Sequence, residues 1–328
     1  MDSVLNYPTD SSHQIHIMRE YLFLGLLGLF VSACSVNYDI PPSSVTEAER
    51  IIVNSYLNPS DSIRVRLHKL THSEKGYAIH ALTGAHIVLK ENDAVLFDGV
   101  CTDSVLLLPK HPQAGATYSI EVTYSGLPEA RARTRVPSSI RCTAAYSPDG
   151  YRNLIRLTSF DIARCENENL WITAYRQRQD TVVDQYPDLY ANNGLIDMVN
   201  RQVGTRIVNE QVGAMYHIGF LRIKRKNLAS LTELVFAPVY ASSGRDTVRR
   251  PEPDKIRVKL ITATPEYDRY NKTLYEQKTM IITEDDISSV FYKPQPVSGN
   301  VQQGLGIFAG INEENYVFQL PERERIWP

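Results

Sequence analysis

Histidine, arginine and cysteine are the residue types whose number and spacing could do chemistry in this sequence. His68, His72, His80 and His86 place four imidazoles within 19 residues, with Glu74 nearby. Imidazoles joined by a carboxylate hold zinc or copper where their side chains face one another. Arg131, Arg133 and Arg135 fall on one face of an extended segment, and so do Arg222, Lys224 and Lys226. Three aligned cations attract an anionic ligand, a lipid headgroup or a partner loop. The competing interpretation is the solvent face of an antiparallel sheet, on which charge alternates with apolar residues. That interpretation is expected for both stripes, and a solvated hairpin is expected for the histidines, so no metal is assigned. Arg131, Arg133 and Arg135 are the better candidate ligand or partner surface, because no acidic residue interrupts them.

Covalent and nucleotide chemistry find little support. Gly-x-Ser-x-Gly and His-Glu-x-x-His are absent, and Asp285 and Asp286 point to opposite faces of an extended chain. Gly304-Leu305-Gly306 lacks the Gly-Lys-Ser/Thr ending of a phosphate loop and precedes no helical pattern, so it is read as a turn. The expectation is a non-enzyme without a cofactor. The chain has 328 residues, 35 Lys+Arg against 37 Asp+Glu and 43% hydrophobic residues. Such a balance describes an ordinary globular protein with a real core and argues against nucleic acid as a partner held by bulk charge.

Tyr21 to Phe30 is an uninterrupted apolar run, preceded by Met18-Arg19 and followed by Val31-Ser32-Ala33-Cys34. The run is shorter than the about 20 residues a stable membrane-crossing helix needs, so residues 1–33 are read as a cleaved signal peptide with its true start at Met18. Val31-Ser32-Ala33-Cys34 resembles the bacterial lipobox, which makes Cys34 the lipidated N-terminus of the mature chain. Removing Arg19, Asp2, Asp10 and Glu20 with the leader leaves 34 residues of each sign. Cys101, Cys142 and Cys165 then remain, an odd number that cannot be a complete disulfide framework. A Cys142 to Cys165 bridge and buried free thiols are equally open.

The elements that would position these residues are mostly strands. Residues 34–47, with Pro41-Pro42-Ser43-Ser44, suit an extended spacer. Ile63 to His68 alternates strictly, placing Ile63, Val65 and Leu67 inward and Arg64, Arg66 and His68 outward. Ala85 to Leu89 and Ala94 to Phe97 flank a turn at Lys90 to Asp93, and Val105 to Leu108, Gly115 to Val122 and Glu129 to Val136 follow. Short strands with turn signals about every 8–12 residues predict an immunoglobulin- or fibronectin-like β-sandwich over 48–138. Tyr118 stands where such sandwiches carry a corner tyrosine.

From 139 to 328 a larger β-rich domain is expected, with strands at Asn153 to Phe160, Leu170 to Tyr175, Gly219 to Lys226, Leu234 to Val239, Ile256 to Thr262 and Tyr316 to Leu320. Thr264-Pro265-Glu266 starts the one clear helix, which runs to Gln277 with the Thr264 hydroxyl as cap and Tyr267, Tyr270 and Leu274 as its docking stripe. Asp180 to Gly213 is poorly patterned and reads as a long excursion or binding loop.

Several signals occur in a telling order. They are the lipobox, the Pro-containing spacer, Ile52-Val53 through Tyr56-Leu57-Asn58-Pro59, Gly84-Ala85, the Gly115 to Val122 strand, the Tyr-rich helix, and Gly299-Asn300-Val301 leading to Gly304-Leu305-Gly306-Ile307-Phe308. In this order the sequence resembles the Bacteroidetes lipoprotein family catalogued as domain of unknown function 4249, over nearly the whole mature chain. The resemblance implies an outer-membrane lipoprotein, anchored by lipid and surface-facing rather than periplasm-facing. It also implies a TonB-dependent transporter as partner, for capturing or gating an unknown small ligand. It carries over no catalytic residue. The alternative is an adhesin or fimbrillin-like structural subunit, which also begins with a lipobox.

Overall fold

The computed structural model describes residues 49–73, 76–149, 152–163, 165–186, 188–191, 193–197, 205–209, 213–216, 219–239, 254–279 and 297–321. Signal peptide, lipobox and Cys34 lie outside them, as do Asp285 and Asp286. From Ala48 onward the chain forms one compact unit, and it is mainly β. No helix among the described residues is long and apolar enough to cross a membrane.

The strands are β1 (Arg50–Leu57), β2 (Ile63–Ser73), β3 (Gly76–Ala81), β4 (Ala85–Glu91), β5 (Ala94–Cys101), β6 (Val105–Leu108), β7 (Thr117–Thr123), β8 (Ala130–Arg135), β9 (Arg141–Asp149), β10 (Arg152–Asp161), β11 (Asn169–Arg178), β12 (Thr181–Gln185), β13 (Asp188–Ala191), β14 (Thr205–Asn209), β15 (Gly213–Tyr216) and β16 (Phe220–Ile223). A short helix α1 (Arg225–Leu228), β17 (Glu233–Val239), β18 (Lys255–Ala263), the main helix α2 (Pro265–Thr279) and β19 (Leu305–Gln319) complete the order.

A nine-stranded sheet organises the molecule. Its path is β12-β11-β18-β19-β1-β2-β3, with β16 added to β11 and β6 added to β2. The back of its β1 and β2 side faces the sheet β5-β4-β7-β8, and the back of its β11 and β18 side faces the sheet β14-β15-β13-β17-β10-β9. Alternation explains the division. Val53, Val65, Leu67 and Phe308 point into the first core with Ile87, Leu89, Tyr118 and Ile120. Leu170, Ile172, Val258 and Leu260 point into the second with Ile155, Leu157, Leu234 and Phe236. The strands within 48–138 pack as two sheets over one core, and the first of these sheets also receives β19. At Pro137, where a boundary was expected, the chain passes from one core to the other, and the buried Asn312 side chain donates to the Pro137 carbonyl (2.9 Å).

β19 is the seam. Leu305 to Gly310 pair with β1 in parallel, and Ile311 to Gln319 pair with β18 antiparallel. The glycine-rich stretch expected to be a turn is one only as far as Gly304. A Cβ on Gly306 would stand 2.2 Å from the Val53 carbonyl oxygen, and one on Gly310 would stand 2.2 Å from that of Arg135. Glycine lets β19 pass against β1 and β8 at backbone distance. Asn300 holds the entry, its side chain donating to the Phe308 carbonyl (2.8 Å) and accepting from the Phe308 N–H (2.9 Å).

Several local expectations need correction. Asn92 and Asp93 alone form the hairpin turn, both at positive φ, and the strand before it runs on to Glu91. Much of the segment expected as a long loop over 180–213 is built of β12, β13 and β14. The Thr264 hydroxyl donates to the Gly310 carbonyl (2.9 Å), tying the start of α2 to the seam where a cap was expected.

Tyr118 is a working corner. Its hydroxyl accepts from the Gln113 N–H (2.8 Å) and donates to Glu91, whose other oxygen meets the Lys110 ammonium at 2.5 Å. Burial would raise the Glu91 carboxyl, but these two donors outweigh it and hold Glu91 below the usual range.

Candidate functional site

The strongest polar constellation lies under α2, on the front of the nine-stranded sheet. β11 and β16 pair so that Trp171 stands opposite Arg222. Alternation along β16 sends Leu221 and Ile223 into the second core, and Phe220 and Arg222 toward the helix. Asp268, in the first turn of α2, descends between them. Arg222 grips its carboxylate with two donors, Nε to Oδ1 at 2.7 Å and Nη2 to Oδ2 at 2.6 Å. Trp171 Nε1 donates to Oδ1 as well, at 2.8 Å. The remaining arm of Arg222 bonds Asp197, whose other oxygen meets Lys224 Nζ at 2.6 Å.

Arg222 is 5% exposed and Asp268 7%. Burial would lower the Arg222 guanidinium, but its bonds to Asp268 and Asp197 carry it above its ordinary value. Both charges are spoken for by fixed partners, as a buried ion pair requires. Aromatic rings seal the pair. Trp171 lies 4.4 Å from Phe220 and 6.1 Å from Tyr267, Tyr275 meets Phe220 edge-on at 4.8 Å, and Tyr56 meets Tyr267 at 5.0 Å. Burial pushes the Tyr56 phenol up to about 12 and that of Tyr267 higher still. Saturated charges and neutral phenols make this a lock that fastens α2 to the sheet. The helix docks through Tyr267, Asp268 and Tyr275; of the expected stripe Tyr267 packs on the apolar cluster of Trp171, Phe220, Ile261 and Ile311, and Tyr270 and Leu274 are not part of it.

Arg222, Lys224 and Lys226 therefore do not form a solvent stripe. β16 ends at Ile223 and Lys224 precedes α1, so the strand alternation stops before the second cation. The missed signal was Phe220-Leu221, apolar on both faces, which marks a strand covered on both sides. Arg131, Arg133 and Arg135 do alternate outward from β8 over buried Ala130, Ala132 and Thr134. Acids reach two of them, Glu129 just before β8 meeting Arg131 at 2.8 Å and Glu166 from a distant loop meeting Arg135 at 2.6 Å. Arg133 alone has no ion pair among the described residues.

The histidines do not converge. His68 and His72 project from the front of β2, while His80 pairs with Lys69 and so takes the opposite face. His86 is on another sheet, 3.1 Å from Asp98. No three potential metal ligands gather among the described residues. Cys101, Cys142 and Cys165 are free thiols. Burial pushes Cys165 up to about 11 and raises Cys142 as well, against the lowering effect of its bond to the Tyr316 hydroxyl at 3.6 Å, so neither has the thiolate character of a nucleophile.

A second surface lies on the front face beside α2, exposed along β3 and β6 while Leu70 and Ile52 behind them are buried. Strand register sets Tyr77, Ile79 and Ala81 of β3 in one rank with Val105 and Leu107 of β6, and His72, Leu70, His68, Arg66 and Arg64 of β2 in the adjacent rank. Tyr77 is 51% exposed, Ile79 65% and Leu107 56%. The front positions of β1 are Arg50, Ile52, Asn54 and Tyr56. None of these strand positions carries a carboxylate, and the guanidinium groups of Arg50, Arg64 and Arg66 have no ion pair among the described residues.

Two sandwiches sharing one long sheet, an ion-paired helix lock and an exposed basic-apolar face define a mainly β protein. The chain belongs to the family described as domain of unknown function (DUF4249), whose model matches residues 35–316. No curated protein matches it. Among solved structures it is similar to the yeast delta-COP-I mu-homology domain in complex with a Dsl1 WxWxV peptide, at 11% identity and a TM-score of 0.17, over 66% of this chain and 80% of that one. The same yeast domain without the peptide gives 10% identity and a TM-score of 0.17 over the same shares.

Proposed function

We propose that this protein is a non-enzymatic lipoprotein, anchored through Cys34 at the outer membrane, that docks on a TonB-dependent transporter and assists uptake of a small nutrient. The observation that carries the reading is the open front face of β2, β3 and β6. Exposed aliphatic and aromatic side chains beside arginines without ion pairs among the described residues have the composition of a partner surface, in which aromatic residues and arginine are enriched. The leader and lipobox of the sequence support the anchoring. A lipid chain contributes about 0.8 kcal/mol per buried CH₂, so several chains on one cysteine hold a protein firmly to a membrane.

The test is mild-detergent isolation of the tagged mature protein from its native outer membrane, with mass spectrometry of its companions. A stoichiometric TonB-dependent barrel is the expected result. Copies of the protein alone would overturn the reading in favour of a structural subunit.

A further inference from the structure

We infer that the open front face takes an acidic, extended polypeptide segment that adds as a strand along β3. This rests on the reading of the chain as a docking protein and names the chemistry of what docks. Three observations converge on β3. It ends the strand order of the nine-stranded sheet, so over Ala78 to Ala81 the side turned away from β2 has no paired strand among the described residues. An unpaired strand edge is a template for another strand. The rank of Tyr77, Ile79, Ala81, Val105 and Leu107 lies along that edge and offers apolar footing for alternate side chains of an incoming strand. Behind Leu107 and Val105 of β6, which continues the line of β3, stand Arg64 and Arg66 without ion pairs among the described residues, and behind Ala81 and Tyr77 stand His68 and His72, in a rank that holds no carboxylate.

Charge selects among occupants. A second copy bringing its own β3 to this edge would set arginine rank near arginine rank, and like charges brought together in an interface oppose association. An anionic lipid surface would satisfy the arginines but leave the β3 backbone edge without a strand partner, and unpaired backbone groups removed from water are costly. An acidic strand answers the charge, the apolar rank and the open edge together.

The test uses the full chain in detergent and fluorescein-labelled peptides in which valine or isoleucine alternates with glutamate, with lysine-for-glutamate peptides as the comparison. The expected result is saturable binding of the glutamate peptides that weakens with salt, with slowed amide exchange at Ala78 to Ala81. Arg64→Glu should weaken binding roughly tenfold, because the attraction becomes repulsion. The thermal midpoint of that variant should match the parent, separating lost binding from lost fold. Equal binding of lysine peptides, absent binding of glutamate peptides, or binding without protection of β3 would each overturn the proposal. Adhesion to phosphatidylglycerol vesicles in place of the peptides would overturn it in favour of lipid, and concentration-dependent dimerisation through this face would do so in favour of a second copy. Co-isolation of a barrel despite failure here would overturn the strand mode alone. Peptide binding without a co-isolated barrel would leave the mode standing and overturn the transporter reading.

Discussion

The front of the nine-stranded sheet is finished in two different ways. Around Trp171, Phe220, Ile261 and Ile311 it is covered by α2, and Arg222 of β16 beneath that helix is buried and paired on every arm. Over β2, β3 and β6 no helix covers it among the described residues, and Arg64 and Arg66 stand exposed without ion pairs. The same residue type on the same face is a structural clamp in one half and available charge in the other. What separates them is a carboxylate delivered by another element, Asp268 on α2.

That contrast is broken most directly at Asp268. Asp268→Ala would leave Arg222 buried with half its partners and Trp171 Nε1 with none, and should cost about 3–5 kcal/mol in denaturant unfolding. Asp268→Leu combined with Arg222→Met, which removes both charges, should recover most of that loss. A single-variant cost below about 1 kcal/mol would show that the clamp is dispensable. The seam between the halves is next. Gly310→Ala forces a methyl onto the Arg135 carbonyl and should cost about 1–3 kcal/mol, read in the same experiment.

The corner of the first sandwich gives a pH dependence. Because Glu91 is held below its ordinary value in the folded state, its contribution is complete above the unfolded carboxyl value of about 4.3 and is lost as the pH falls through the folded value. Glu91→Gln should cost on the order of 1–3 kcal/mol at neutral pH and flatten the acid limb of the stability profile. An acid limb unchanged in slope would contradict the assignment. Smallest of all, Arg64→Glu and Ile79→Lys on the open half should each shift stability by no more than about 0.5 kcal/mol by thermal unfolding. A large loss there would mean that the face is covered in the folded protein.

How far the sequence was legible follows from which forces are local. Ile63 to His68 announced its own inward and outward faces, Asn92-Asp93 its turn and Pro265 its helix, because period, left-handed backbone and missing N–H are properties of the residues themselves. Tyr118 was readable because its local setting, Gly115-x-x-Tyr118-x-Ile120-x-Val122, resembles that of a sandwich corner tyrosine. β12 to β15 were not, since these short stretches carry no sustained alternation and become strands by pairing with β11, β13, β15 and β17. The clamp was hidden for the same reason. Asp268 reads as an ordinary first-turn acid and Arg222 as one charge in an alternating run, and only a contact across 46 residues makes them partners. The open face was half visible. Outward Arg64 and Arg66 were expected, whereas the rank of Tyr77, Ile79, Val105 and Leu107 required knowing that β3 and β6 flank the same strand.

The central claim is that the open half meets the partner while the covered half and β8 serve as scaffold. The most direct test is outer-membrane isolation of the tagged protein carrying Arg64→Glu, Arg66→Glu and Ile79→Glu together, beside one carrying Arg131→Glu and Arg133→Glu. Loss of the co-isolated barrel from the first and its retention by the second is the predicted result. Retention by the first, with loss from the second, would contradict the account and move the docking surface to β8.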